Sequence, residues 1–221
     1  MRFLTTAQLA QLFFEGSKWA ANKRLRKLLD AGLIRVWVRD LAQDNVYSLR
    51  RAGARRLSES VKDEDALGVP RGLEGNLDHL LYINQVRIAF ALGLPAVGGE
   101  LAGWRSDWEL RAEHRGRLIP DALFTIRWEH AEVQSFALEV DNHTKSVRGF
   151  VRKILAYASV TTRGLYGLAD FATLVIGRKP SCWLIPISSS ASPGGTGHLM
   201  TSAPSQGRPD AAARSLPGWV D

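Results

Sequence analysis

A single cysteine, Cys182, stands in the 221-residue chain, which excludes an internal disulfide and any cysteine-based zinc cage. It lies in the apolar run "CWLIPI" and reads as a packed thiol. Long apolar runs are also missing. No window approaches 18 uncharged apolar residues, so no membrane-spanning helix is expected. The start "MRFLTTAQLAQLFFEGS" has only a short apolar stretch broken by Thr and Gln, with no cleavage site, which speaks against a secretory signal. A cytoplasmic protein without membrane contact is the expectation. The five histidines are scattered and never pair at metal-ligand spacing. "GGELAG" lacks the lysine and following helix of a phosphate-binding loop. No serine–histidine–acid arrangement stands out, and no internal repeat is present.

What is present is positive charge, and it is localised. The net charge is +7. Residues 1–60 hold 12 Lys/Arg against 5 Asp/Glu, while the remainder holds 17 of each. An excess confined to the first quarter points to a polyanion partner rather than to general solubility.

That quarter has the order of a DNA-reading module. "TTAQLAQLFF" predicts a short helix capped by Thr5 or Thr6, with Leu9, Leu12 and Phe13 inward. Ser17 caps a second helix, Lys18 to Ala31, with Ala21, Leu25, Leu28 and Leu29 as its apolar stripe and Gly32 as its stop. "LIRVWVRD" and "NVYSLR" alternate as two strands, and "RAGARRLSES" follows as a basic helix. Helix, turn, basic helix and hairpin is the order of a winged helix-turn-helix, whose second helix enters the major groove of double-stranded DNA. Lys18, Trp19, Asn22, Lys23 and Arg26 are the expected contacts from that helix. Arg35, Arg39 and Arg50 are expected on phosphates near the wing. The competing reading is a helical adaptor with a solvated basic face.

The Gly/Pro-containing acidic stretch over residues 61–75 marks a linker, and a second domain is expected over 76–187. There "NLDHLLYINQVRIAFALG" predicts a helix and "WELRAEH" a strand. "LIPDALFTIRW" and "SFALEVDN" predict two more strands, "VRGFVRKILAYASV" a helix and "ATLVIGR" a strand. The expected class is α+β or α/β, with the order α-β-β-β-α-β around a mixed sheet that has a helix on each face. Residues 188–221, rich in Ser, Gly, Pro and Ala, read as a flexible tail.

In "FALEVDN", Phe136, Leu138 and Val140 alternate as one strand face, and Glu139 and Asp141 share the other. A hairpin with "PDALFTI" centred near Ala131 pairs residue 121 with 141 and 123 with 139. Asp121 then joins both acids on one face. Three such carboxylates repel by about 2–3 kcal/mol per pair at about 6 Å and an effective dielectric of about 20. A hard divalent cation such as Mg²⁺ would offset that. So would a cationic side chain from nearby: Lys153, Arg152 or Lys145.

"PDA" at Pro120–Ala122, followed by Glu139-Val140-Asp141, resembles the PD-(D/E)XK nuclease superfamily. "LRKLLDAGLIR", "HLLYINQVR", "PDALF", "ALEVDNHTKS" and "RKILAY" together resemble the replication-relaxation proteins of plasmids and mobile elements. Those join a winged helix to a PD-(D/E)XK-like domain. The resemblance implies Asp121, Glu139 and Asp141 as catalytic acids and metal ligands, with Glu109 as a further ligand. Mg²⁺ or Mn²⁺ would polarise a phosphodiester and activate water. The motif lysine should stand two residues after Glu139, where this chain has Asp141, so Lys153 on the next helix is its replacement. Two versions follow: a metal-dependent endonuclease, or a catalytically silent nuclease fold serving a DNA-binding regulator. A third reading is a repressor whose second domain senses a ligand or pairs with a second copy of the chain as a homodimer.

Overall fold

The computed structural model describes residues 1–40, 42–58, 68–73, 75–113, 118–130, 132–141, 147–160, 171–177 and 182–187; the side chains of Asp141 and of residues 182–187 are among those outside the description. The expected linker core (61–67), His143, Lys145 and the tail from 188 therefore lie outside the described residues.

Local chemistry sets the first unit. It comprises β1 (Phe3–Thr5), α1 (Thr6–Phe13), α2 (Lys18–Asp30), β2 (Ile34–Trp37), β3 (Val46–Leu49) and α3 (Arg51–Ser58). Thr5 starts α1 through a capping box: its hydroxyl accepts the Gln8 amide, and the Gln8 side chain accepts the Thr5 amide. The Ser17 hydroxyl caps α2 by accepting the Ala20 amide at 3.3 Å. Gly32 ends that helix with φ +68°, which only glycine adopts without strain. The strands form an antiparallel sheet in the order β1-β3-β2. Ala10, Ala21, Leu25 and Tyr47 form the core beneath α1 and α2.

Phe13 departs from expectation, being 68% exposed. Helix α1 is turned so that Gln8 and Ala10 are buried instead. The cause is a second neighbour: Gln8 Nε2 donates to the Leu81 carbonyl at 2.7 Å.

That neighbour is α4 (Leu77–Gly93), which continues into a 3-10 turn over Leu94–Val97. Together these 21 residues, with a hydropathy of 1.4, are long and apolar enough to cross a membrane by length and composition. Its apolar side chains are not confined to one stripe, and two sheets share the task of covering them. Leu77, Leu80 and Leu81 pack on Phe3, Val46 and Trp37 of the first sheet. Ile83, Val86, Phe90 and Leu94 pack on the second. Asn84 Nδ2 also donates to the Phe3 carbonyl at 2.6 Å. In packing, α4 belongs to both units.

The second sheet runs β4 (Gly99–Ser106), β5 (Ala122–Trp128), β6 (Val133–Asp141), β7 (Phe171–Gly177), β8 (Cys182–Ile187), in that order. All neighbours are antiparallel except β6 and β7, which are parallel. The sheet is mixed, as expected. The parallel pair is joined through α6 (Val147–Val160), because parallel strands need a crossover.

Two expectations are corrected. "WELRAEH" is not a strand but α5 (Asp107–Glu113), and the strand lies before it at Gly99–Ser106. Glu109 reaches back to accept the Ser106 amide at 2.7 Å, and Arg111 pairs with Asp107 one turn away at 3.3 Å. Those contacts favour the helix. The observed order from α4 is thus α-β-α-β-β-α-β-β. The second correction is register: Ala122 pairs with Leu138 and Leu123 with Ala137. The hairpin is closed by Trp128 N–H to the Glu132 carbonyl at 2.9 Å. This closure shifts the pairing by two residues, which sets Asp121 beside Glu139 instead of Asp141 and keeps the faces unchanged.

One face of this sheet, with Ala122, Phe124, Ile126, Leu138 and Val140, packs under α4. Trp104 and Phe136 stack on either side of Phe124, with centroids at 5.3 and 5.0 Å. On the other face Leu123 and Ala137 meet Leu110 of α5 and Tyr157 of α6.

Candidate functional site

The acids sit on the α5–α6 face at the edge where β5 begins. Pro120 precedes Asp121 and has no amide hydrogen to offer β6. Asp121 extends the ladder with both its parts. Its amide donates to the Leu138 carbonyl at 3.0 Å, and its carboxylate accepts the Val140 amide at 2.8 Å. Its carbonyl accepts the Asp107 amide at 3.2 Å, tying on the first turn of α5. His79, near the start of α4, lies 3.3 Å from the other carboxylate oxygen. Burial pushes the Asp121 carboxyl up, but His79, the Val140 amide and the charge of Lys153 together outweigh it and hold it below the usual value.

Glu139 is the buried acid of the group, with 4% of its surface exposed. Lys153 of α6 donates to one oxygen at 2.5 Å, and the Tyr157 hydroxyl donates to the other. Lys153 and Tyr157 are four residues apart and so share one helix face. Burial, then the neighbouring Asp121 charge, push the Glu139 carboxyl up, against the pull of Lys153 and Tyr157.

The sequence-predicted residues divide as follows. Asp121, Glu139 and Lys153 are brought together. The β6 backbone carries Asp141 opposite Gly177, but its side chain lies outside the described residues. Glu109 is spent on capping α5 and faces the charge of Arg87. Two partners were absent from the expected site, His79 and Tyr157. Tyr157 carried a signal in its spacing of four from Lys153; His79 carried none beyond its place on a long helix.

A divalent metal does not fit the described donors. Each Glu139 oxygen is taken by a proton donor, as is each oxygen of Asp121. Among the described residues no three His, Cys, Asp or Glu side chains come together in a way that holds a metal ion. The cluster is instead a hydrogen-bonded network of the chain's own side chains, in which the Lys153 ammonium opposes the acids.

In the first unit, Trp19, Asn22, Lys23 and Arg26 all lie on the exposed side of α2. Trp19 is 74% exposed, and the Lys23 ammonium sits 5.2 Å from its ring centre. Lys18 pairs with Asp44 at 3.0 Å and Arg26 with Asp30 at 3.5 Å. Arg39 pairs with Asp78 at 2.5 Å, bridging the hairpin to α4. Arg35 and Arg50 line a cleft beside α3.

Residues 1–170 match the family model described as replication-relaxation. No curated protein and no protein of solved structure matches the chain.

Proposed function

The chain belongs to the replication-relaxation family, and from that premise we propose that it is a DNA-binding protein acting in replication or relaxation of a plasmid or other mobile element. The first unit is a winged helix-turn-helix with α2 as its recognition helix in the major groove of double-stranded DNA. The observation that carries this reading is the two-sidedness of α2. Ala21 and Leu25 are buried, while Trp19, Asn22, Lys23 and Arg26 face outward together. Asparagine offers paired donor and acceptor groups to a base edge, and Lys23 and Arg26 suit phosphates or guanine.

The second unit is a PD-(D/E)XK-like fold that uses the motif acids for architecture. Asp121 extends the β5–β6 ladder, and Glu139 is opposed by the Lys153 charge and hydrogen-bonded by Tyr157. The platform is catalytically silent, and DNA contact is the work of α2. A Mg²⁺- or Mn²⁺-dependent endonuclease is the second reading, favoured by one observation: Lys153 reaches the motif acid from the next helix, where a displaced motif lysine would have to be. It requires Glu139 to give up Lys153.

The test is fluorescence anisotropy of the full-length protein with a labelled duplex over a range of salt. Affinity is expected to fall steeply as salt rises. Lys23→Ala/Arg26→Ala weakens binding about tenfold and flattens the log–log slope by about 1.8, about 0.9 per lost phosphate contact. Binding indifferent to salt and to this variant overturns the assignment of α2.

A further inference from the structure

A cleft of about 830 Å³ opens between the hairpin, α3 and the segment 68–71. Arg35, Arg50, Arg51, Arg55 and Arg71 line it, and no carboxylate is among the described lining residues. These five arginines come from three separate stretches of chain. Arg35 stands opposite Ser48 across the hairpin.

The cleft is not an extension of the α2 surface. Ile34, Val36 and Tyr47 point into the core beneath α1 and α2. Successive strand residues point to opposite faces, so Arg35 and Ser48 point away from α2. The far wall is fixed rather than loose. Arg2 Nε donates to the Gly68 carbonyl at 2.9 Å, Gly68 abuts the Trp108 ring so closely that a Cβ would lie 2.7 Å from it, and Pro70 is buried. The α3 wall is equally fixed, since the Arg50 amide donates to the Leu33 carbonyl at 3.0 Å.

We propose that this cleft is a second polynucleotide site, gripping the phosphodiester backbone of a DNA segment other than the one met by α2. The guanidinium groups of Arg35, Arg50, Arg51 and Arg71, spread over three stretches of chain, match a series of phosphates, and guanidinium geometry suits bidentate phosphate contact. Among the described lining residues none is an aromatic on which a nucleobase would stack, which disfavours a free nucleotide. The proposal rests on the reading of α2 only in making this segment the second one. A protein with two DNA faces can hold two segments of a molecule at once.

The test is a capture assay with full-length protein, a duplex fixed on beads and a second, fluorescent duplex in solution. The unaltered protein is expected to bring the fluorescent duplex to the beads. Arg51→Ala/Arg71→Ala, both at exposed positions, lowers the captured duplex about tenfold with bead-bound protein unchanged, and Arg51→Lys/Arg71→Lys restores much of it. Undiminished capture by the alanine variant overturns the cleft and leaves the α2 reading standing, since two copies joined through themselves would then bridge the duplexes. If Lys23→Ala/Arg26→Ala changes nothing while Arg51→Ala/Arg71→Ala abolishes both loading and capture, the cleft stands and the α2 reading falls. Binding of ATP or tripolyphosphate that duplex DNA cannot displace assigns the cleft to a small anion and overturns the proposal.

Discussion

Lys153 on α6 donates to the buried Glu139 carboxylate on β6 at 2.5 Å, from 14 residues further along the chain. The crossover that makes β6 and β7 parallel is what brings them together. This contact answers the charge problem posed by acids on a core strand, since the opposing cation is a side chain and Tyr157 takes the second oxygen.

Removing the lysine alone should therefore be costly. Lys153→Met leaves Glu139 buried without its cation, an expected loss of about 3 kcal/mol. Adding Glu139→Gln recovers most of it, because the uncompensated charge is gone. Urea denaturation of the two single variants and the double variant measures the coupling. Additive losses would show that the pair does not interact.

The two acids should give opposite pH signatures. The folded Glu139 pKa is raised, so its protonated form is favoured by folding; its contribution is full at low pH and is lost as pH rises from the ordinary glutamate value through the raised one. The folded Asp121 pKa is lowered, so its contribution is present above the ordinary aspartate value and is lost as pH falls through the lowered one. Stability measured against pH should lose its falling limb in Glu139→Gln and its acid limb in Asp121→Asn. Unchanged profiles in both variants would contradict these directions.

Gly53 is buried in α3, where an added Cβ would lie 2.2 Å from the Leu33 carbonyl oxygen and 2.7 Å from a Leu49 methyl. Alanine normally stabilises a helix, yet Gly53→Ala should destabilise by about 1–3 kcal/mol through overpacking against backbone. A higher melting temperature for Gly53→Ala would show that α3 can move off the hairpin.

Because α4 covers the outer face of the first sheet, a fragment of residues 1–60 exposes Phe3 and Val46, which are buried in the intact chain. It should lack a cooperative thermal transition. A sharp transition in that fragment would make α4 dispensable to the first unit.

Much of this architecture was legible in sequence, and the rest was hidden for definable reasons. Thr5, Ser17 and Gly32 announced the ends of α1 and α2, and the alternation of Phe136 to Asp141 fixed which residues share a face. Register was not legible, because it depends on how the hairpin closes at Trp128 and Glu132, a closure centred one residue before Ala131 that shifts the pairing by two. The helix at Asp107–Glu113 was hidden because its signal is the Ser106 amide donating to the Glu109 carboxylate, outside any apolar pattern. Strand β1 has only three residues, beneath any periodicity. The exposure of Phe13 follows from α4 docking on α1, a contact between parts of the chain some 70 residues apart. In the site, Lys153 was foreseeable from the missing motif lysine, whereas His79 meets Asp121 only through the tertiary fold.

If Glu139 is satisfied by Lys153 and the second unit is a silent platform for a DNA-binding first unit, DNA is bound and left uncut. Incubation of full-length protein with supercoiled plasmid, with Mg²⁺ and separately with Mn²⁺, tests it most directly. The expected result is retarded plasmid that is fully supercoiled once the protein is removed. Nicked or linear product that disappears in both Asp121→Ala and Glu139→Ala would contradict it.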